Sequence, residues 1–185
     1  MTEGIAALPT YDADRRLLAV IEAPRGSANK LKFDPGAGVF VLHKVLPPGS
    51  VFPFDFGFVP GTLGEDGDPL DVLVPMDEPA APGVVVPCRL LGGSRRRSAP
   101  SRTRALRAAC ATTAWSPWPT RRIAMRPAAR CSLRDVGNGL LDEIEAFFVF
   151  YNARFDKRFT PLRRAGIAAA RQLVAEGRTT FAANH

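Results

Sequence analysis

The sequence predicts an α+β fold in which a small β-barrel or curved sheet is followed by C-terminal helices. Residues 1–93 contain short apolar runs rich in Val, Phe and Leu, separated by turn residues such as Pro and Gly. Residues 132–185 instead repeat apolar residues at spacings of three and four. The first pattern is typical of short strands with tight connections, and the second is typical of amphipathic helices.

Length and composition predict one globular domain over residues 1–185. The 185 residues are 46% hydrophobic and 23% charged, which excludes a disordered chain and allows a sizeable core. No apolar run approaches the roughly 18 residues of a membrane span. The first residues, which include Glu3 and Asp12, lack the basic start and apolar stretch of a signal peptide. We therefore expect a cytoplasmic protein without a membrane partner.

The three cysteines predict neither a disulfide framework nor a zinc site. Cys88, Cys110 and Cys131 are odd in number and have no CxxC spacing. Cys88 lies in an apolar run, and we expect it to be buried.

Four apolar runs in the first half each predict a strand. They occupy residues 17–22, 38–43, 71–74 and 83–91. Two helices are predicted near the C-terminus. The first begins near Leu140, with Asp135 or Asn138 as its cap, and the second follows Thr160 as N-cap and Pro161 as first helical residue, ending at Gly177.

An Arg-rich segment, residues 94–131, interrupts this organisation. It holds ten arginines and no Asp, Glu, Lys or Gly, and without it the formal net charge falls from +7 to −3. We interpret it as a solvated or disordered loop, with a helix over 105–114 as an alternative. A further alternative is a nucleic-acid-binding insert, in which the arginines neutralise phosphates while Trp115 and Trp118 stack on bases.

Three aspartates within six residues carry the strongest chemical signal. Asp66, Asp68 and Asp71 lie on a predicted loop that leads into an apolar strand, with Gly67 and Pro69 shaping the bend. Carboxylates this close repel one another unless a cation lies between them. Ligands that offer only oxygen suit a hard ion such as Mg²⁺. A solvated acidic turn is the alternative for these residues.

Residues 66–74 resemble the signature of the family I soluble inorganic pyrophosphatases, D-G-D-P-L-D-V-L-V. The resemblance extends upstream through residues 20–24, 29–34 and 52–58, and it resumes at residues 145–152. It implies a five-stranded barrel similar to the oligonucleotide-binding (OB) fold and flanked by helices. It also implies Mg²⁺-dependent hydrolysis of pyrophosphate to two phosphates, in a protein that we expect to be a homo-oligomer.

The same resemblance implies roles for individual residues. Asp68 would orient or deprotonate the attacking water. Asp66, Asp71, Glu22 and Asp34 would be the metal ligands, with Asp34 standing where most members have Glu. Lys32, Lys44 and Tyr151 would bind phosphate oxygens.

Other positions depart from the pattern of the family. Lys44 replaces a usual Arg and loses the bidentate geometry of a guanidinium. Phe56 replaces a usual Tyr, and Asn152 replaces a usual Lys while keeping a hydrogen-bond donor. We expect each change to weaken phosphate binding only modestly.

The largest departure is the absence of the family's third motif, which has two aspartates and a lysine. No Asp or Glu occurs between Glu78 and Asp135. An excess of Arg, Ala, Pro and Ser is expected when a GC-rich gene is read out of frame, so we infer a frame disruption over about residues 94–131. Activity would then be impaired. The alternative is an inactive pyrophosphatase-like protein whose Arg-rich segment binds nucleic acid.

Overall fold

The computed structural model describes residues 4–99, 106–112, 137–156 and 158–184. A short 3-10 helix, Ile5–Ala7, precedes eight strands and two α-helices. In chain order these are β1 (Leu17–Ala23), β2 (Asn29–Asp34), β3 (Val39–Val45), β4 (Asp55–Val59), β5 (Leu70–Val74), β6 (Val85–Ala99), β7 (Leu106–Thr112), α1 (Asn138–Ala153), β8 (Arg158–Ala165) and α2 (Ile167–Asn184).

Five of the strands close into a barrel. β1 pairs with β4, β4 with β5, β7 with β6 and β6 with β1, all antiparallel, and the parallel pair β5–β7 completes the circuit. β8 pairs with β6 outside this circuit. β2 and β3 form a separate two-stranded sheet, called the arm below. The prediction of a five-stranded OB-like barrel with C-terminal helices is therefore confirmed.

Two apolar clusters hold the helices against the barrel. Barrel residues such as Ile21 and Val72 pack with Leu173 and Val174 of α2 in the first cluster. Phe56 packs with Phe148 and other rings of α1 in the second. All residues of β1 and β4 are buried, including the two carboxylates Glu22 and Asp55. Each helix is thus held by its own apolar cluster, α2 by the first and α1 by the second.

The four predicted strands correspond to β1, β3, β5 and β6, but β2 and β4 were not predicted. β2 alternates its apolar residues with Lys30, Lys32 and Asp34, and β4 contains a glycine, which is unfavourable in strands. Gly57 is nevertheless required there, since a Cβ at this position would lie 1.9 Å from the Val20 carbonyl oxygen. β4 can approach β1 so closely only without a side chain at this position.

The first predicted helix is confirmed as α1, but the prediction that Asn138 caps it is wrong. Gly137 occupies the N-cap, Asn138 is already helical, and no side chain caps the helix. Asp135, the other predicted cap, lies outside the described residues.

The second predicted helix begins too early and ends too early. Thr160 and Pro161 lie in β8, which pairs with β6, so strand pairing outweighs the local helix-start signal. The helix begins at Ile167 and continues past Gly177 to Asn184. A Cβ at Gly177 would lie 2.8 Å from Leu70 Cδ1, so this glycine allows α2 to pack closely on the barrel and does not end the helix.

The described parts of the Arg-rich segment form strands, which corrects the loop and the helix predicted for it. Residues 94–99 continue β6, and β7 fills the place between β5 and β6. The predicted helix over 105–114 is therefore wrong, and the predicted loop is wrong for these residues. Backbone pairing needs no particular side-chain chemistry, which explains how this composition can form barrel strands. Residues 100–105 and 113–136 lie outside the described ranges.

Cys88 is fully buried in β6, as predicted. It is also disulfide-bonded, a single bond that the predicted absence of a disulfide framework did not anticipate. An odd number of cysteines excludes complete pairing but not a single bond. Among the described residues, no helix is long and apolar enough to cross a membrane.

Candidate active site

The acidic loop, residues 64–68, is held in shape by backbone hydrogen bonds before β5 begins. Gly64 donates its N–H to the Asp68 carbonyl oxygen at 2.8 Å, and Gly67 donates to the Gly64 carbonyl oxygen at 3.1 Å. Gly67 has φ +80°, a conformation that favours glycine. The Thr62 hydroxyl accepts the Leu70 N–H at 3.1 Å, which fixes the entry into β5 and therefore the position of the next residue, Asp71.

Asp68 forms an ion pair with Lys32 of the arm. Lys32 Nζ donates to Asp68 Oδ1 at 2.6 Å, and the two side chains are 46% and 55% exposed. This hydrogen bond raises the pKa of Lys32, and the charges of Asp68, Glu22 and Asp66 add to the effect. The structure therefore joins the predicted water-activating residue directly to a predicted phosphate-binding residue.

Glu22 is the buried carboxyl of the site. It lies on β1 with 7% of its surface exposed, and its Oε1 accepts the backbone N–H of Phe33 at 3.1 Å. Burial raises the pKa of Glu22 to about 7, with a further increase from the negative charge of Asp71 and an opposing decrease from Lys30. Glu22 thus lies within electrostatic reach of both the acidic strand β5 and the lysines of the arm.

Lys30 and Lys44 face each other across the arm, because they are paired residues of β2 and β3. Lys30 Nζ lies 4.7 Å from the centre of the Phe56 ring, and Lys44 Nζ lies 4.3 Å from the centre of the Phe155 ring. Together with Lys32 they form the basic side of the site. Lys30 was missed as a site residue, although its spacing of two from Lys32 in a strand would have placed both on one face.

Tyr151 lies beside this basic side, packed within an aromatic cluster. Its ring centre is 5.3 Å from that of Phe155, the ring under Lys44. Only 6% of Tyr151 is exposed. The neighbouring Asn152 donates its amide to the Phe148 carbonyl oxygen at 2.7 Å, so the donor expected to replace a lysine is engaged within α1.

Asp34 has a structural role in the turn between β2 and β3. Its Oδ1 accepts the N–H groups of Gly36 at 2.9 Å and of Ala37 at 3.2 Å. Lys32 and Asp34, together with His43, line a cavity of about 320 Å³ on the arm. The structure therefore shows Asp34 as a turn cap, and its metal role stays a prediction.

The carboxylates of the site fit a hard cation in donor type. Glu22, Asp66, Asp68 and Asp71 offer only oxygen, and the repulsion between Glu22 and Asp71 that raises the Glu22 pKa is of the kind that a cation relieves. Within the described residues, however, no three acidic, His or Cys side chains are already close enough together to hold a metal ion. The side chains of the exposed acidic loop would have to turn toward the ion.

The comparisons with known proteins identify the family. A family model described as inorganic pyrophosphatase matches residues 19–97, and thus ends within the Arg-rich segment. The inorganic pyrophosphatase of Thermus thermophilus is 49% identical over 90 residues, which are 48% of this chain and 51% of that protein. That of Synechocystis is 41% identical over 88 residues, 48% of this chain and 52% of the relative. These sequence matches span about half the length of the curated relatives.

The structural similarity extends over nearly the whole chain. The crystal structure of the inorganic pyrophosphatase from Thermus thermophilus has a TM-score of 0.83 and 32% identity, covering 97% of this chain and 99% of that one. The structure from Coxiella burnetii has a TM-score of 0.81 and 26% identity, covering 94% and 99%. A shared barrel, a matching family model and a relative above 30% identity over its full length agree: the chain belongs to the inorganic pyrophosphatase family.

Proposed function

We propose that this protein hydrolyses inorganic pyrophosphate to two phosphates with the help of Mg²⁺. The observation that carries this proposal is the contact between the acidic loop and the basic side of the arm, through Asp68 and Lys32. A doubly charged cation and a highly charged anion need neighbouring binding groups of opposite sign. The acidic loop with Glu22 offers the first, and Lys30, Lys32 and Lys44 offer the second.

Asp66, Asp71 and Glu22 would hold the metal in this proposal. Mg²⁺, when bound, neutralises charge on the diphosphate and lowers the pKa of water. Asp68 accepts the proton of the attacking water, because its carboxylate is exposed and lies next to Lys32, one of the lysines that hold the substrate. Asp34 would join the ligands only by giving up its hydrogen bonds in the turn.

The lysines and Tyr151 act on the phosphate oxygens. Lys32 and Lys44 neutralise charge that develops on the leaving phosphate, which lowers the barrier. Lys30 joins them because it faces Lys44 across the arm. Tyr151 would donate its hydroxyl to the same phosphate from the aromatic cluster beneath Lys44.

We expect the turnover to be below that of a complete site. No carboxylate occurs between Glu78 and Asp135, so the third acidic motif of the family is absent from the chain. At least one Mg²⁺ would be held poorly as a result. A turnover on the order of 10 s⁻¹ or more would contradict this expectation.

Release of phosphate from pyrophosphate, measured on the full chain with and without Mg²⁺, tests the proposal. We expect release that requires Mg²⁺ and falls at least about a hundredfold in Asp68→Asn. Release that is equal in wild type and in Asp68→Asn, or absent altogether, would refute the function. We further propose that the protein is cytoplasmic and forms a homo-oligomer. Analytical sedimentation of the purified chain tests the oligomeric state.

Binding of nucleic acid by the Arg-rich segment is tested separately. A salt titration of DNA and RNA binding would show a steep loss of affinity with salt if the ten arginines contact phosphates. A chain that binds nucleic acid in this way and releases no phosphate would support the alternative function.

A further inference from the structure

Lys32 is a cation placed among carboxylates. Its ammonium donates to Asp68 at 2.6 Å, and Glu22 and Asp66 are close enough to act on its charge. The Lys32 ammonium thus supplies, from the protein itself, a positive charge next to the carboxylates that a divalent cation would bind. The ammonium groups of Lys30 and Lys44 lie over aromatic rings, and the charge of Lys30 also acts on Glu22.

Both sides of the Lys32–Asp68 contact are held by the fold. The hydrogen bond from the Phe33 N–H to Glu22 ties β2 to β1 at the residue next to Lys32. The acidic loop is closed on itself by the hydrogen bond between Gly64 N–H and the Asp68 carbonyl oxygen. The two backbones therefore hold the charged groups within reach of each other, while the side chains remain about half exposed and can move apart.

We propose that Lys32 is the resident counter-ion of the metal-free acidic loop, and that a divalent cation displaces it from Asp68. The displaced ammonium then becomes available to an oxygen of the phosphate substrate. The inference rests on the proposed function, and it assigns an order to that function. Before the metal binds, the ion pair with Asp68 keeps Lys32 from the phosphate substrate. Metal binding breaks this pair, so the metal promotes phosphate binding at Lys32.

The size of the effect follows from the exposure of the pair. An exposed ion pair contributes little to stability, so Lys32 can leave Asp68 at small cost. A unit positive charge so close to the metal ligands still repels an incoming divalent cation. Removing the charge should therefore tighten metal binding by about tenfold, which corresponds to about 1.4 kcal/mol.

Isothermal titration of Mn²⁺ into the full chain, without pyrophosphate, tests the displacement. Lys32→Gln removes the positive charge that contacts Asp68. Lys44→Gln removes a positive charge from the paired strand β3, where the ammonium lies over Phe155. We expect Mn²⁺ to bind about tenfold more tightly to Lys32→Gln and to change less than about threefold in Lys44→Gln. Equal Mn²⁺ affinity in wild type and Lys32→Gln would overturn the inference, and so would the absence of Mn²⁺ binding by both. An equal gain in Mn²⁺ affinity in Lys32→Gln and Lys44→Gln would also overturn it.

Binding of inorganic phosphate gives a second readout that does not depend on turnover. Phosphate should bind wild type more tightly in the presence of Mn²⁺, and Lys32→Gln should lose most of this enhancement. An enhancement that is unchanged in Lys32→Gln contradicts the release of Lys32. Thermal unfolding of each variant checks that the fold is kept.

The outcomes separate this inference from the proposed function. Tighter Mn²⁺ binding by Lys32→Gln, in a chain that releases no phosphate from pyrophosphate, supports the counter-ion role and refutes the activity. Hydrolysis by a chain whose Mn²⁺ affinity is unaffected by Lys32→Gln supports the activity and refutes the counter-ion role.

Discussion

The backbone N–H of Phe33 donates to the buried carboxyl of Glu22 at 3.1 Å, and this bond joins the arm to the barrel. The same carboxyl is a predicted metal ligand, and burial raises its pKa to about 7. One side chain therefore takes part in the position of the arm, the charge of the site and the pH dependence of stability.

Glu22→Gln should stabilise the metal-free protein above pH 7. Because the folded state raises the Glu22 pKa from 4.5 to about 7, the stability linked to this group is complete below pH 4.5 and is lost as pH rises through 7. The shift corresponds to roughly 3 kcal/mol at most. We expect Glu22→Gln to unfold at higher denaturant than wild type at pH 8, with the gain disappearing at pH 4. Urea unfolding of both proteins at pH 8 and pH 4, in the presence of a metal chelator, measures this difference in stability.

Glu143→Gln is the matched control for Glu22, since Glu143 is exposed on α1. It should shift the free energy of unfolding by less than about 0.5 kcal/mol at either pH. A Glu22→Gln variant that is less stable than wild type at pH 8 would show that the carboxyl does not carry the proposed burial penalty.

Asp55→Ala should destabilise the fold. Asp55 is 1% exposed and accepts two backbone N–H groups, those of Arg25 and Ala80, each at 2.7 Å. Removing the carboxylate leaves both donors without this acceptor, at a cost of about 2–5 kcal/mol. Urea unfolding measures the loss, and Asp14→Ala, at an exposed ion pair with Arg16, should cost less than about 1 kcal/mol. Equal effects of the two substitutions would contradict this assignment.

Gly177→Ala should destabilise the protein although alanine favours helices. The added Cβ would lie 2.8 Å from Leu70 Cδ1 and 3.3 Å from Thr62 Cβ, the residues that fix the start of β5. Overpacking of this kind costs about 1–3 kcal/mol, which exceeds the gain in helix propensity of about 1 kcal/mol.

The control for Gly177 is Gly139→Ala in α1, where a Cβ would meet no atom within 4 Å. This variant should be as stable as wild type or up to about 1 kcal/mol more stable. Thermal unfolding compares the two, and a stabilised Gly177→Ala protein would show that β5 can move aside.

Sequencing the coding DNA across codons 92–132, and translating all three frames, tests the inferred frame disruption. We expect another frame to encode an acidic stretch with paired aspartates and a lysine. If no frame contains such a motif, the disruption is refuted and the Arg-rich segment is a genuine part of the protein.

The acidic loop could be predicted from sequence because its signal is local. Asp66, Asp68 and Asp71 lie within six residues, and the bends between them come from neighbouring Gly and Pro. Lys30 was missed because its role depends on β2 being a strand paired with β3, which brings it opposite Lys44. Asp34 shows another limit of the sequence, since a turn-capping carboxylate and a metal ligand look alike in it, and the hydrogen bonds in the turn appear only in the structure.

β7 and β8 could not be predicted because only their pairing with other strands, and not their own sequences, makes them strands. Pro161 follows a good N-cap residue, yet it lies in β8, at an irregularity in the pairing with β6. Proline is tolerated there because β8 is an outer strand. β7 contains three Ala, one Leu and one Arg, residues that favour helices locally, and its pairing with β5 and β6 makes it a strand.

The parallel pairing of β5 with β7 places Arg107 at the register position next to Asp71. Ladder hydrogen bonds use only backbone groups, so the barrel can keep its closing strand while the sequence of that strand changes. The architecture is thus separable from the chemistry that the strand presents. Acidic residues could be introduced into β7 one position at a time, beginning at Arg107, and metal affinity measured after each change, on a scaffold whose strand order is already set.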